Sequence, residues 1–179
     1  MSYAKQGAIA LSVALAWIIV FCANEALFDG SRHSIRANWI FLPAAVRLLA
    51  VLLFEATGCI GLMLGAFVVG MCSTSEPWPY VAGLSLTSGL APYVVVLAYR
   101  RLNMIAGDLR NLRGVDICSL SLATALSNAV MLNAYLAAFG RFEGDIVQML
   151  TVFVGDTVGI VVVLGLLSVA LSFAMPRRR

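Results

Sequence analysis

Residues 39–54 read Trp39-Ile-Phe-Leu-Pro-Ala-Ala-Val-Arg-Leu-Leu-Ala-Val-Leu-Leu-Phe54, an apolar run with one full charge, Arg47, at its middle. The run has the character of a membrane span. A guanidinium near the bilayer centre costs at least about 2.5–3.5 kcal/mol on insertion scales, so it is normally paired or lines a polar cavity. Finding the partner of Arg47 is the most direct route to a function.

The rest of the chain has the same character. Its 179 residues are 61% hydrophobic and 12% charged, with a mean hydropathy of +0.96. A soluble domain carries about 25% charged residues. The fold class expected is all-α, a polytopic helical membrane protein, because a helix satisfies its own backbone hydrogen bonds in lipid. The alternating decamers that build an outer-membrane barrel are not seen. The net charge of +3 is spread over several short connections, which gives no basis for nucleic acid as a partner. Cys22, Cys59, Cys72 and Cys118 fall inside or at the ends of apolar segments, without CxxC spacing, and read as small packing residues.

A helix needs about 20 residues to cross the hydrocarbon core. Six spans are expected within one integral membrane domain, 1–179: residues 7–28, 39–54, 58–72, 80–99, 117–139 and 146–175. The first is long, with no small-x-small cleavage site, and reads as a span rather than a signal peptide. The second and third share the compact turn Glu55-Ala-Thr-Gly58 and form a tight hairpin or a re-entrant pair. Pro43 favours the latter, since proline suits a helix's first turn. With six spans both termini share a side, which holds Lys5, Arg100, Arg101, Arg110, Arg113 and Arg177 to Arg179. The other side holds Arg32, Arg36 and Arg141. The positive-inside rule then puts both termini in the cytoplasm of a bacterial inner membrane. Trp39, Trp78 and Tyr80 fall at outer span ends, as interfacial anchors do.

The connection from Arg100 to Asp116 carries Leu102, Ile105, Leu109 and Leu112 at three- and four-residue steps. That is an amphipathic helix pattern. It suits an interfacial helix on anionic lipids or a docking surface for a cytoplasmic protein partner, with Arg101, Ile105, Leu109, Arg110 and Arg113 as the docking residues.

Depth follows from the ~1.5 Å rise per residue. Arg47 lies eight residues inside the second span and Asp156 ten inside the sixth, in Phe153-Val-Gly-Asp-Thr-Val-Gly159. Both descend in the same direction, to ~12–15 Å below the outer surface. Asn128, Thr87 and Ser88 fall at the same level. A lone arginine and a lone aspartate at one depth predict an Arg47–Asp156 ion pair, since either alone would be an unpaired charge in a low dielectric. The pair either fixes helix register or borders a cavity holding a polar small-molecule ligand. Ser121, Thr124, Ser127 and Asn128 share a face suited to interhelical hydrogen bonds, with Asn133 higher up. Asn24 and Glu25 are expected near water at the outer end of the first span, and Glu55 at the inner turn. Gly61 with Gly65, and Gly155 with Gly159, are GxxxG pairs that signal close helix approach.

Catalysis finds little support. His33 is the one histidine, with no ligand cluster or nucleophile pattern around it, and an aspartyl protease would need a second intramembrane aspartate. No enzyme activity and no cofactor are expected.

Two segments together carry a family resemblance. Phe41-Leu-Pro-Ala-Ala-Val-Arg-Leu-Leu-Ala-Val-Leu-Leu-Phe54, followed by the Gly58 turn and Gly61-Leu-Met-Leu-Gly65, resembles the proline-containing early span of bacterial membrane-associated sensor domains of the first MASE type. Phe153-Val-Gly-Asp-Thr-Val-Gly-Ile160 resembles the Gly-Asp-x-x-Gly motif of that domain's last helix. Members are usually input modules of histidine kinases and diguanylate cyclases. The resemblance implies that Arg47 and Asp156 form the polar centre. The chain departs from the family in having fewer spans and in ending at Arg179 with no effector domain. The function expected is therefore a sensor-like or accessory scaffold subunit acting through a separate protein. The alternatives are a small substrate-binding transport subunit with an outward-facing polar pocket and a structural subunit of a membrane complex.

Overall fold

The computed structural model describes residues 2–28, 32–34, 37–105, 114–142 and 146–174. Its elements are α1 (Tyr3–Phe28), β1 (Arg32–Ser34), β2 (Ala37–Asn38), α2 (Pro43–Ser73), α3 (Trp78–Arg101), α4 (Gly114–Ala138) and α5 (Ile146–Ala174). All five helices are long and apolar enough to cross a membrane. The chain is an all-α, multi-pass membrane protein with a two-stranded antiparallel ribbon, β1–β2, between its first two helices. Large apolar side chains face outward along every helix, Leu11, Leu64, Leu86, Leu126 and Leu166 among them. Lipid tails are as apolar as leucine, so this surface needs no cover.

Six separate helices were expected, and five are present among the described residues. The expected second and third spans run together as α2, because no loop separates them. The backbone leaves helical geometry at a single residue, Glu55, with φ 52° and ψ −127°. That is the first corner of a type II′ turn, which favours glycine. A straight helix would hold residues 50 and 58 ~12 Å apart. Here a methyl group at Gly58 would overlap the Ala50 carbonyl, so residues 43–54 and 56–73 are two limbs folded back on one another. Arg100, at the end of α3, pairs with Glu55 and also donates to the Leu52 carbonyl at 3.3 Å, closing over the turn. Glu55→Gly is expected to raise stability by about 1 kcal/mol, since it relieves backbone strain while the ion pair it deletes is largely exposed. Thermal unfolding in detergent checks this. A loss of stability would mean that the side chain outweighs the strain.

The limbs sort by neighbour. The second limb runs beside α1, where Gly61 and Gly65 admit the Ala10 and Ala14 carbonyls. It also runs beside α3, where Gly89 meets Met63 and Gly70 meets Val81. The first limb is central, and it carries Ala45, Leu48 and Val51 into a core completed by Leu62, Leu120 and Ile160.

The twelve residues of the first limb rise only ~18 Å. Residues 38–42 lead into it as irregular chain lying against α5, with a bend at Trp39 and Leu42 already in the helical region at φ −55° and ψ −34°. Irregular backbone is tolerated at such depth only where protein covers it and satisfies its polar groups. The segment is half-buried, apart from the exposed Trp39, and two of its amides are satisfied by protein. The Phe41 N–H donates to the Gly155 carbonyl at 3.1 Å, and the Leu42 N–H donates to Asn24 Oδ1 at 2.8 Å. A methyl group at Gly155 would overlap the Asn38 carbonyl, and one at Gly159 the Phe41 carbonyl. This second GxxxG pair thus seats an irregular chain segment rather than a helix.

Several sequence readings change. Asn24, expected near water, is wholly buried, because it caps the Leu42 amide. Tyr80, expected as an interfacial anchor, is buried in an aromatic cluster with Tyr135 and Phe139. Trp39 and Trp78 are exposed. Of the four cysteines only Cys59 packs inside; Cys22, Cys72 and Cys118 are on the outer surface.

Candidate functional site

Three elements converge on one carboxylate. Asp156 of α5 accepts a bond from Arg47 Nη1 of the first α2 limb at 2.8 Å, and another from Asn128 Nδ2 of α4 at 2.7 Å. Both go to Oδ2. Arg47 is 5% exposed and Asp156 2%, so bulk water screens neither charge. Such a pair is costly to desolvate and costlier to break, because the survivor is a buried, uncompensated charge.

The guanidinium is also enclosed by rings. Its carbon lies 5.3 Å from the Trp17 ring centre and 4.9 Å from that of Phe41, within the ~6 Å reach of a cation–π contact. Phe41 is held edge-on by Trp17 and Phe21, at 6.1 and 6.3 Å between ring centres. The irregular segment 38–42 therefore has a purpose at the site: it delivers Phe41 over Arg47. Arg47 Nε and Trp17 Nε1 are buried without hydrogen-bond partners among the described residues.

Around this centre lies a cavity of about 250 Å³. Arg47, Asp156 and Asn128 line it deep in the bundle, with Thr87 and Ser88 of α3. Trp17, Phe21, Phe41, Val69, Leu132 and Val152 supply apolar wall, and Glu25, Asn38, Ser73 and Thr74 lie toward the ribbon end. A few convergent polar groups on an apolar lining are the make-up of a small-molecule site, and the volume suits a ligand at the small end of the usual range of about 300–1,000 Å³.

The five residues expected at a common depth, Arg47, Asp156, Asn128, Thr87 and Ser88, all border this cavity. The first three are directly bonded. Thr87 instead donates its hydroxyl to the Leu84 carbonyl of its own helix. Of the α4 polar face, Ser127 reaches across to the Ala91 carbonyl of α3 at 3.1 Å, while Ser121 bonds within α4.

The expected docking helix is corrected in part. Arg101 is exposed at the end of α3, but Ile105 is 7% exposed and packs in the core. The reason is local: α3 stops at Arg101, Asn103 takes a positive φ of 53°, and the Met104 N–H bonds back to the Tyr99 carbonyl. That turn tucks Ile105 under the bundle, so it cannot face a partner. Leu109, Arg110 and Arg113 lie outside the described residues.

Sequence reasoning missed Trp17, Phe41 and Asn24. Trp17 did carry a signal, since tryptophan prefers the membrane interface and this one sits midway along a span. Pro92, inside α3, was a second signal. It has no N–H, so the Ser88 carbonyl lacks its helical donor.

No known protein family, curated protein or solved structure matches the chain.

Proposed function

We propose that this chain is a non-enzymatic, sensor-like subunit of a bacterial inner membrane. It holds a polar small molecule in the cavity around Arg47 and Asp156 and passes its occupancy to a separate protein partner. The observation that carries this reading is the cavity itself: a register-fixing ion pair alone needs no 250 Å³ of space beside it. The two segments that resemble the first MASE type support it, since their polar centres meet in one bond. In this reading the two limbs of α2 each cross with their flanking residues. The chain then has six crossings, with both termini cytoplasmic by the positive-inside rule.

The test is retention of a ligand. Purified protein in lipid nanodiscs is incubated with the small-molecule fraction of a bacterial extract, washed and read by native mass spectrometry. A bound species is expected on the wild type and none on Arg47→Met/Asp156→Leu. Equal retention by both, or retention by neither, would refute the reading.

A transport subunit that captures a solute is the second reading, favoured by the cavity's reach toward Glu25, Asn38, Ser73 and Thr74 at one end of the bundle. Solute counterflow in proteoliposomes separates the two, because a sensor does not support it.

A further inference from the structure

Among the described residues, the buried polar atoms of the cavity wall that lack a partner are donors. Trp17 Nε1 and Arg47 Nε make no hydrogen bond, and both residues line the cavity. Their side chains are in contact, with the guanidinium carbon 5.3 Å from the centre of the Trp17 ring, so the two N–H groups belong to one part of the wall. A third orphaned donor, Asn24 Nδ2, lies two turns along the same face of α1. A buried N–H without a partner bears its full desolvation cost, which a ligand oxygen would remove.

The neighbouring hydroxyls are spent differently. Thr87, Ser85 and Thr74 each donate their proton to a carbonyl of their own helix, at 2.7, 2.8 and 2.9 Å. The Ser73 and Ser88 hydroxyls can act in either sense. The charged groups of the wall already have partners: Arg47 binds Asp156, and Glu25 accepts from the Asn38 amide at 3.5 Å. An ammonium ligand would compete with Arg47 for Asp156 and leave both N–H groups unmet. A carboxylate would set a second anion beside Asp156 on one guanidinium. An uncharged oxygen meets the N–H groups and disturbs neither charge.

We infer that the ligand of this cavity is a small neutral molecule with a carbonyl-type oxygen and an apolar body, its oxygen received by Trp17 Nε1 and Arg47 Nε. The inference rests on the ligand-binding reading above and narrows it. The apolar body lies toward Phe21, Leu132 and Val152. Both N–H groups lie just beneath the wall. Phe41, half-buried and carried by irregular chain, is the part of that wall that gives way to admit the oxygen.

Three probes of similar size test it: N,N-dimethylbenzamide, which only accepts, N,N-dimethylbenzylammonium, which only donates, and benzoate. Each is titrated calorimetrically into the protein in lipid nanodiscs. The benzamide is expected to bind saturably, and more tightly than either charged probe by about tenfold or more, since neither of those recovers its desolvation cost. Trp17→Phe, which keeps an aromatic ring and removes the N–H, is expected to weaken the benzamide about fivefold, the loss of one neutral hydrogen bond. In the NMR spectrum the Trp17 indole N–H proton should move downfield as the benzamide binds. That signal is assigned as the one surviving in Trp39→Phe/Trp78→Phe, two exposed positions, so the measurement stands even if Trp17→Phe does not fold. Tighter binding of either charged probe would overturn the ligand class and leave the cavity reading standing. Benzamide binding that leaves the Trp17 signal unmoved would overturn the inference by placing the probe elsewhere. Binding of none of the three would also overturn it, and ligand retention from the extract then decides the broader reading separately.

Discussion

Arg47→Met alone is expected to cost about 3–5 kcal/mol of folding stability, and adding Asp156→Leu is expected to return most of that loss. The single change leaves Asp156, 2% exposed, with Asn128 as its remaining hydrogen-bond partner and no countercharge among the described residues. It also removes the cation from between Trp17 and Phe41. The double change leaves two apolar side chains of similar volume, and a buried pair replaced in this way is often neutral or stabilising. Unfolding curves in mixed micelles for the wild type, both single variants and the double variant give the coupling energy directly. A single variant within about 0.5 kcal/mol of the wild type would show that the site is wet enough to tolerate a lone charge. The double variant therefore separates stability from function, since it should keep the fold and lose the ligand.

Gly155→Ala and Gly159→Ala are expected to be nearly as damaging, at about 3 kcal/mol each, the upper end of overpacking costs. In both cases the added methyl meets backbone carbonyl oxygen, of Asn38 or Phe41, rather than a side chain that can swing away. Displacing that backbone also strains the Phe41 to Gly155 hydrogen bond and lifts Phe41 off Arg47. Gly165→Ala on the same helix is the control. Nothing lies within 4 Å of a methyl group there, so the change should be neutral or stabilise by about 0.5–1 kcal/mol through helix propensity. Thermal melts of the three variants, measured side by side, test the contrast. Equal effects at all three positions would mean that residues 38–42 are not seated on α5 as described.

These results also mark what was legible in the sequence. Helical rise is regular, so distance from a span end converts to depth. That conversion put Arg47, Asp156 and Asn128 at one level without any knowledge of how the helices are arranged. The same arithmetic could not find Trp17 or Asn24. Their roles depend on residues 38–42, which follow no helical period and whose partners are fixed by contact alone. The turn at Glu55 was visible as a compact link between two short apolar runs. That it is a single residue in a glycine-like conformation was not, because glutamate carries no signal for it. The amphipathic spacing after Arg101 misled for a related reason: spacing reports a face only if the backbone is helical, and Leu102 to Ile105 is a turn.

The ion pair joins residues 109 positions apart, and the order in which a ribosome makes them matters. Arg47 leaves the ribosome first, in a limb too short to span by itself, and its countercharge is in the last helix. At about 5–20 residues per second, the guanidinium waits roughly 5–20 s for Asp156. Through that interval the Phe41 amide also lacks the Gly155 carbonyl, and the first limb carries an insertion cost of at least about 2.5–3.5 kcal/mol with no countercharge to offset it. The first half of the protein is thus held unfinished until α5 arrives, which makes α5 the keystone of biogenesis as well as one wall of the cavity.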